Sequence, residues 1–139
     1  GAENGSFKVY LSDDSENYGG VSFYSEVEGN LSESISECEV KNINDIIEEL
    51  GINAVDLIKI DTEGAEYDIL TSLKYEFLKK TSWITGELHG NRDFELLNYL
   101  TNIGFSISLN KNIDNRLFMF NAGKKEVVSK LSRKQVKIL

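Results

Sequence analysis

Apolar and polar residues alternate from the start of the chain. In Ser6 to Ser12, Phe7, Val9 and Leu11 fall on one side, with Lys8 and Tyr10 on the other. A period of two is that of a half-buried strand. Val21 to Ser25, with Phe23 inward, repeats the pattern, and Ser36 to Lys41 makes a third short strand. The first two are expected to pair as an antiparallel hairpin across the polar segment that ends in Gly19-Gly20. Glu26 to Ser36, rich in serine and carrying Gly29-Asn30, is expected to be a mobile loop.

The period changes at residue 42. Ile43, Ile46, Ile47 and Leu50 recur at helical spacing, with Asn42 or Asn44 as the cap and Gly51 as the stop. Val55, Leu57, Ile58 and Ile60 make an apolar strand over 55–60, and Asp61 to Gly64 a tight turn. A long helix follows from Ala65 to Lys80, with Ile69, Leu70, Leu73, Phe77 and Leu78 as its buried stripe. Glu66 and Asp68 in its first turn and Lys79 and Lys80 in its last complement the helix dipole. The pattern then predicts a strand over Ser82 to Leu88. Next comes a helix over Arg92 to Ile103 that buries Phe94, Leu97, Tyr99 or Leu100, and Ile103. Strands over Phe105 to Leu109 and Arg116 to Asn121 close the chain, joined by a turn at Asn112 to Asn115. Helix–strand alternation from residue 42 onward indicates an α/β fold with a mainly parallel sheet. The last two strands are too close for a helical crossover and form an antiparallel edge hairpin. Such a sheet is compatible with a class I, Rossmann-like methyltransferase layout and with other α/β layouts.

Composition narrows the class. The chain has 139 residues, 40% of them hydrophobic and 27% charged, which suits one folded domain. Its polar start, Gly1-Ala2-Glu3-Asn4-Gly5, has no signal-peptide layout, and no apolar run is long enough to span a membrane. A cytoplasmic location is expected. The single cysteine, Cys38, excludes an internal disulfide, and its acidic neighbours Glu37 and Glu39 disfavour a thiolate. It is expected to be a buried or half-buried strand residue.

Charge is unevenly spread. Lys124, Lys125, Lys130, Arg133, Lys134 and Lys137 against Glu126 leave +5 after Gly123, so the first 123 residues carry −13 of the total −8. An acidic body is unsuited to nucleic acid, whose binding depends on neutralised phosphates. Residues 1–123 are therefore expected to form the α/β domain. Residues 124–139 are expected to form a basic, loosely ordered C-terminal tail.

The candidate chemistry gathers at two strand ends. Asp61 and Glu63 follow the strand over 55–60, and Glu87 and His89 end the strand over 82–88. Parallel neighbours about 4.8 Å apart would bring all four to one sheet edge, where open α/β sheets place their ligands. One of several crowded carboxylates can act as a general base toward a hydroxyl, and His89, the only histidine, titrates near neutrality. Two carboxylates and an imidazole could also bind a divalent metal, although no metal is assigned here. The plainer alternatives are that Asp61 caps the next helix, that Glu63 and Glu66 are first-turn carboxylates, and that His89 is an ordinary surface residue. Lys59, inside the apolar strand, is expected either to pair with a carboxylate such as Glu87 or to face solvent. Tyr67 and Trp83 read as packing residues.

The block Val55-Asp56-Leu57-Ile58-Lys59-Ile60-Asp61-Thr62-Glu63-Gly64-Ala65-Glu66 resembles the signature of the FkbM family of S-adenosylmethionine-dependent methyltransferases. Ile84 to His89 resembles the family's next strand, and Asn98 to Phe105 its helix closing in Gly-aromatic. The resemblance covers roughly residues 5 to 122. It implies an O-methyltransferase acting on a hydroxyl of a sugar or secondary metabolite. Asp61 and Glu63 would lie at the S-adenosyl-L-methionine cofactor, and Asp61, Glu87 and His89 at the reaction. The family's glycine-rich turn and second-strand acid have no counterpart here. Gly19-Gly20 opens no helix. By resemblance the chain is therefore the C-terminal part of such a domain, expected to be inactive alone and to self-associate through an exposed sheet edge. Its acceptor would be a small molecule or a saccharide. The alternatives are a non-catalytic binding or assembly module on the same scaffold, using the basic tail, and, last, a metal-dependent hydrolase.

Overall fold

The structure, a computed structural model, describes residues 1–11, 21–22, 36–89, 92–111 and 118–135. Two sheets form. The smaller joins β1 (Gly5–Leu11), β2 (Val21–Ser22) and β3 (Ser36–Val40) in the order β2-β1-β3, and both pairings are antiparallel. The expected hairpin of the first two strands is present. The turns and strand ends expected at 19–20, 23–25 and 112–117 lie outside the described residues. Cys38 is exposed, against expectation: no described residue of the smaller sheet belongs to the buried core, and neighbouring positions of the central strand β1 are exposed as well.

The larger sheet holds the core. It contains β4 (Leu57–Ile60), β5 (Trp83–Leu88), β6 (Phe105–Lys111) and β7 (Phe118–Lys124) in the order β4-β5-β7-β6. Only β4 and β5 run parallel; β5·β7 and β7·β6 are antiparallel. The expectation of a mainly parallel sheet is thus corrected. The last strand of the hairpin inserts beside β5 instead of lying at the edge, so a single parallel pairing remains. Ile60, Ile84, Leu88, Phe105, Phe120 and Ala122 from these strands are buried against Leu70, Leu73, Leu78, Leu96 and Leu100 from the helices.

Helix α1 (Ile43–Glu49) starts at Asn42, whose side chain accepts the Asn44 N–H. Beyond its end, Gly51 takes a φ of 64°, the left-handed backbone expected of a terminating glycine. The long helix expected over 65–80 is two helices, α2 (Glu66–Ser72) and α3 (Tyr75–Lys80), with Leu73 and Lys74 extended between them. The break has a tertiary cause. Asn44 of α1 donates its side-chain N–H to the Ser72 carbonyl and accepts the Lys74 N–H, replacing helical bonds there. In α4 (Asp93–Asn102) the expected Leu100 is buried and Leu97, Tyr99 and Ile103 pack against the core, whereas Phe94 is exposed and Leu96 takes the buried place instead. Where a loosely ordered tail was expected, Lys124 ends β7, and Lys125–Gln135 form helix α5. Lys124 is buried, donates to the Ile103 carbonyl at 3.1 Å and lies 4.0 Å over the Phe105 ring.

Register fixes where the site forms. Ile60 pairs with Gly86 across β4 and β5, so Asp61 comes level with Glu87, and His89 follows two residues on, on the same side of the strand. At Gly86 a Cβ would run into the Ile60 carbonyl oxygen and come within 2.7 Å of its Cγ2. Gly86→Ala should therefore force the two strands apart and destabilise the protein by about 1–3 kcal/mol or more. Urea denaturation of the two proteins measures this; equal stability would mean the strands have slack.

Candidate functional site at the β4–β5 edge

The turn after β4 is built around Glu66. Glu63 has a φ of 51° and Gly64 a φ of 108°. These left-handed residues fold the backbone back so that its amides face the first residue of α2. The Glu66 carboxylate accepts the Thr62 N–H at 2.9 Å, the Thr62 hydroxyl at 3.1 Å and the Gly64 N–H at 3.1 Å. It is 1% exposed. Burial would raise its pKa, but the bond to His89 and the N–H groups of Thr62 and Gly64 outweigh it and hold the carboxyl below its ordinary value.

His89 lies against this carboxylate. Its Nδ1 is 3.4 Å from Glu66 Oε1, and its Nε2 is 3.3 Å from Glu87 Oε2 and 3.6 Å from Glu63 Oε2. The ring is 6% exposed. The bond to Glu66 lifts the imidazole pKa; burial opposes it, and the charges of Glu63, Glu66 and Glu87 add to the lift, which brings the value to about 9. A value near 9 leaves the ring protonated at neutral pH, with Nδ1 donating to Glu66 and Nε2 within ion-pair distance of Glu87 and Glu63.

Asp61 completes the group. One oxygen each from Asp61 and Glu87 and one nitrogen of His89 lie within 4.8 Å of one another. All four residues named from the sequence (Asp61, Glu63, Glu87 and His89) therefore meet at one edge. Lys59 is exposed and sits 3.6 Å from Asp61, not against Glu87. Tyr67 carries the Arg92 guanidinium 3.5 Å over its ring. The residue that sequence reasoning undervalued is Glu66. Its first-turn position was visible, but its burial depends on the turn folding back over it, which no spacing shows. A cleft of about 370 Å³ opens beside the group, lined by residues of β4, α2 and the start of α1 such as Ile58, Ile60, Thr62 and Ile69, and by no described residue of β5.

The Glu66–His89 pair makes stability depend on pH. His89 is raised from 6.5 to about 9, so its contribution is full below about pH 6.5 and disappears as pH climbs through 9. Glu66 is depressed, so its share is full above its ordinary carboxyl value of 4.5 and disappears in stronger acid. The shared plateau runs from about pH 4.5 to 6.5. Between pH 6.5 and 9.5 the protein should lose on the order of 2–3 kcal/mol. His89→Gln should flatten that slope. Thermal unfolding of both proteins across this range checks it.

The model of the Methyltransferase FkbM domain matches residues 2–125. A stretch of 56 residues is 39% identical to the AMB antimetabolite synthetase AmbE of Pseudomonas aeruginosa; it is 40% of this chain and 3% of the synthetase. No solved structure matches the chain. With nearly its whole length matched by the family model, this chain belongs to the FkbM methyltransferase family.

Proposed function

We propose that this chain is the acceptor-side part of an S-adenosylmethionine-dependent O-methyltransferase acting on a hydroxyl of a sugar or secondary metabolite. The observation that carries this reading is the convergence of Asp61, Glu87 and His89 on the carboxyl edge of β4 and β5, in a chain of a methyltransferase family. When bound, S-adenosylmethionine supplies the methyl group. The residues present fit that cofactor on one side only. Asp61 and Thr62 offer polar atoms at the end of β4, and Ile58 and Ile69 an apolar wall. Among the described residues no glycine-rich turn leads from a strand into a helix to hold the rest, so no reaction step is assigned through it.

The chain's own groups divide the remaining work. The His89 imidazolium, held by Glu66, orients an acceptor oxygen by donating to it. Glu87, half-buried and beside the ring, takes the hydroxyl proton as a carboxylate base. Glu63 and Asp61 bound the mouth of the site. Among the described residues β4 is an edge strand with an open side. A second copy of this chain would fit there, because an antiparallel pairing centred on Ile60 sets Lys59 of each copy opposite Asp61 of the other. No helix among the described residues is long and apolar enough to cross a membrane.

Three measurements test these assignments. Calorimetry with S-adenosylmethionine should show no tight binding to the chain alone. In a protein that carries this domain with an active cofactor site, Glu87→Gln should cut methyl transfer by about 10²-fold or more with little change in cofactor affinity. Unchanged transfer would remove Glu87 from the reaction. Sedimentation equilibrium should find a dimer that Lys59→Glu weakens; a monomer at every concentration would leave the β4 edge without the proposed partner.

A further inference from the structure

His89 is unusual in how it is held. Its ring is nearly buried, yet its contacts with Glu87, Glu66 and Glu63, at 3.3, 3.4 and 3.6 Å, are longer than the 2.7–2.9 Å of a charge-assisted bond. Nδ1 faces the buried Glu66, and Nε2 faces Glu87 and Glu63. A carboxylate behind one ring nitrogen, with further carboxylates before the other, is the layout of a metal-ligating histidine: the outer carboxylate accepts the remote N–H, fixes the tautomer and aims the lone pair.

We propose that Asp61, Glu87 and His89 form a divalent-cation site, with Glu66 as the outer carboxylate that positions the imidazole. Donor atoms around one ion with bonds near 2.1 Å lie about 3 to 4.2 Å apart. The observed span of up to 4.8 Å closes to that by rotation of Asp61 and Glu87, which have side chains 38% and 29% exposed. Glu66, whose oxygens already serve two backbone amides and a hydroxyl, stays outside the coordination sphere. One imidazole nitrogen and two carboxylate oxygens suit Mn²⁺ or Zn²⁺ better than a soft ion, which seeks thiolates. The cation takes the place of the Nε2 proton, which leaves to solvent, and Nδ1 keeps its proton toward Glu66. The incoming charge also offsets the repulsion among Asp61, Glu63 and Glu87. Cation binding and the donating imidazolium of the methyl-transfer reading use the same Nε2 and the same Glu87, so they are separate states of this edge, and the cation state can be measured with no cofactor or acceptor present.

Because the chain has one histidine, ¹⁵N-histidine labelling gives the spectrum of a single imidazole. Substoichiometric Mn²⁺ should broaden its signals, Nε2 before Nδ1, and Zn²⁺ should shift Nε2. By calorimetry, Asp61→Asn, an exposed change, should weaken Mn²⁺ binding about tenfold or more. Glu66→Gln should weaken it about 10- to 100-fold and alter the Nδ1 signal in the metal-free protein. Glu48→Gln, on the surface of α1, should leave affinity unchanged. A sharp, unshifted imidazole in excess Mn²⁺ would overturn the site, as would equal Mn²⁺ affinity in the parent and Asp61→Asn.

Discussion

The buried carboxylate of Glu66 is the constraint on which the local architecture depends. An ionised carboxylate removed from water costs several kcal/mol unless its oxygens are satisfied. Here the satisfaction comes from three places at once. Thr62 and Gly64 supply amides from the turn, Thr62 adds its hydroxyl, and His89 supplies its ring from the end of the neighbouring strand. The end of β4, the start of α2 and the end of β5 are therefore held by one side chain. The left-handed backbone at Glu63 and Gly64 is part of this arrangement. Without it the amides would not turn toward Glu66, and Glu63 would not face His89.

Strand β5 performs the corresponding task for the whole sheet. Its burial alternates, with Ile84, Gly86 and Leu88 inward, and it is paired on both sides. The parallel partner brings Asp61 level with Glu87. The antiparallel partner β7 carries Phe120 and Ala122 into the core beside Ile84. Gly86 lets β4 approach without a side chain between the strands. The candidate site thus forms where β5, paired on both sides, meets the edge strand β4.

Much of this was legible in the sequence because it is local. The apolar run before Asp61, the caps at Asn42 and Gly51 and the two strand ends carrying Asp61, Glu63, Glu87 and His89 are each set by residues a few positions apart. What was not legible depends on partners distant in the chain. The stripe Ile69, Leu70, Leu73, Phe77 and Leu78 runs through two helices without a change of period, because the break at Leu73 and Lys74 is imposed by Asn44 from α1. Likewise, a hairpin pattern shows that β6 and β7 pair, but not that β7 rather than β6 lies against β5; that choice made the sheet mostly antiparallel. Phe94 fits a helical stripe as well as Leu96 does, and only the position of α4 on the sheet decides that Leu96 is inside. Cys38 was expected to be buried or half-buried because its strand was readable, whereas the place of that strand in a sheet that adds no residue to the buried core was not.

The site combines a rigid part with an adaptable one. Glu66 and His89 are almost without solvent contact and are fixed by several partners. Asp61, Glu63 and Glu87 keep between roughly a quarter and two-fifths of their side chains exposed. A buried imidazole among carboxylates at low effective dielectric interacts with them more strongly than it would in water, so its charge persists to a higher pH than that of a free imidazole. Carboxylates that retain freedom can then close on whatever enters the edge, be it a hydroxyl or a cation, while the ring stays in place. A site made only of exposed acids would lack the fixed element, and one buried throughout would admit no ligand. The arrangement of Glu66 behind His89 and Asp61 and Glu87 in front of it meets both requirements with residues from one turn and one strand end.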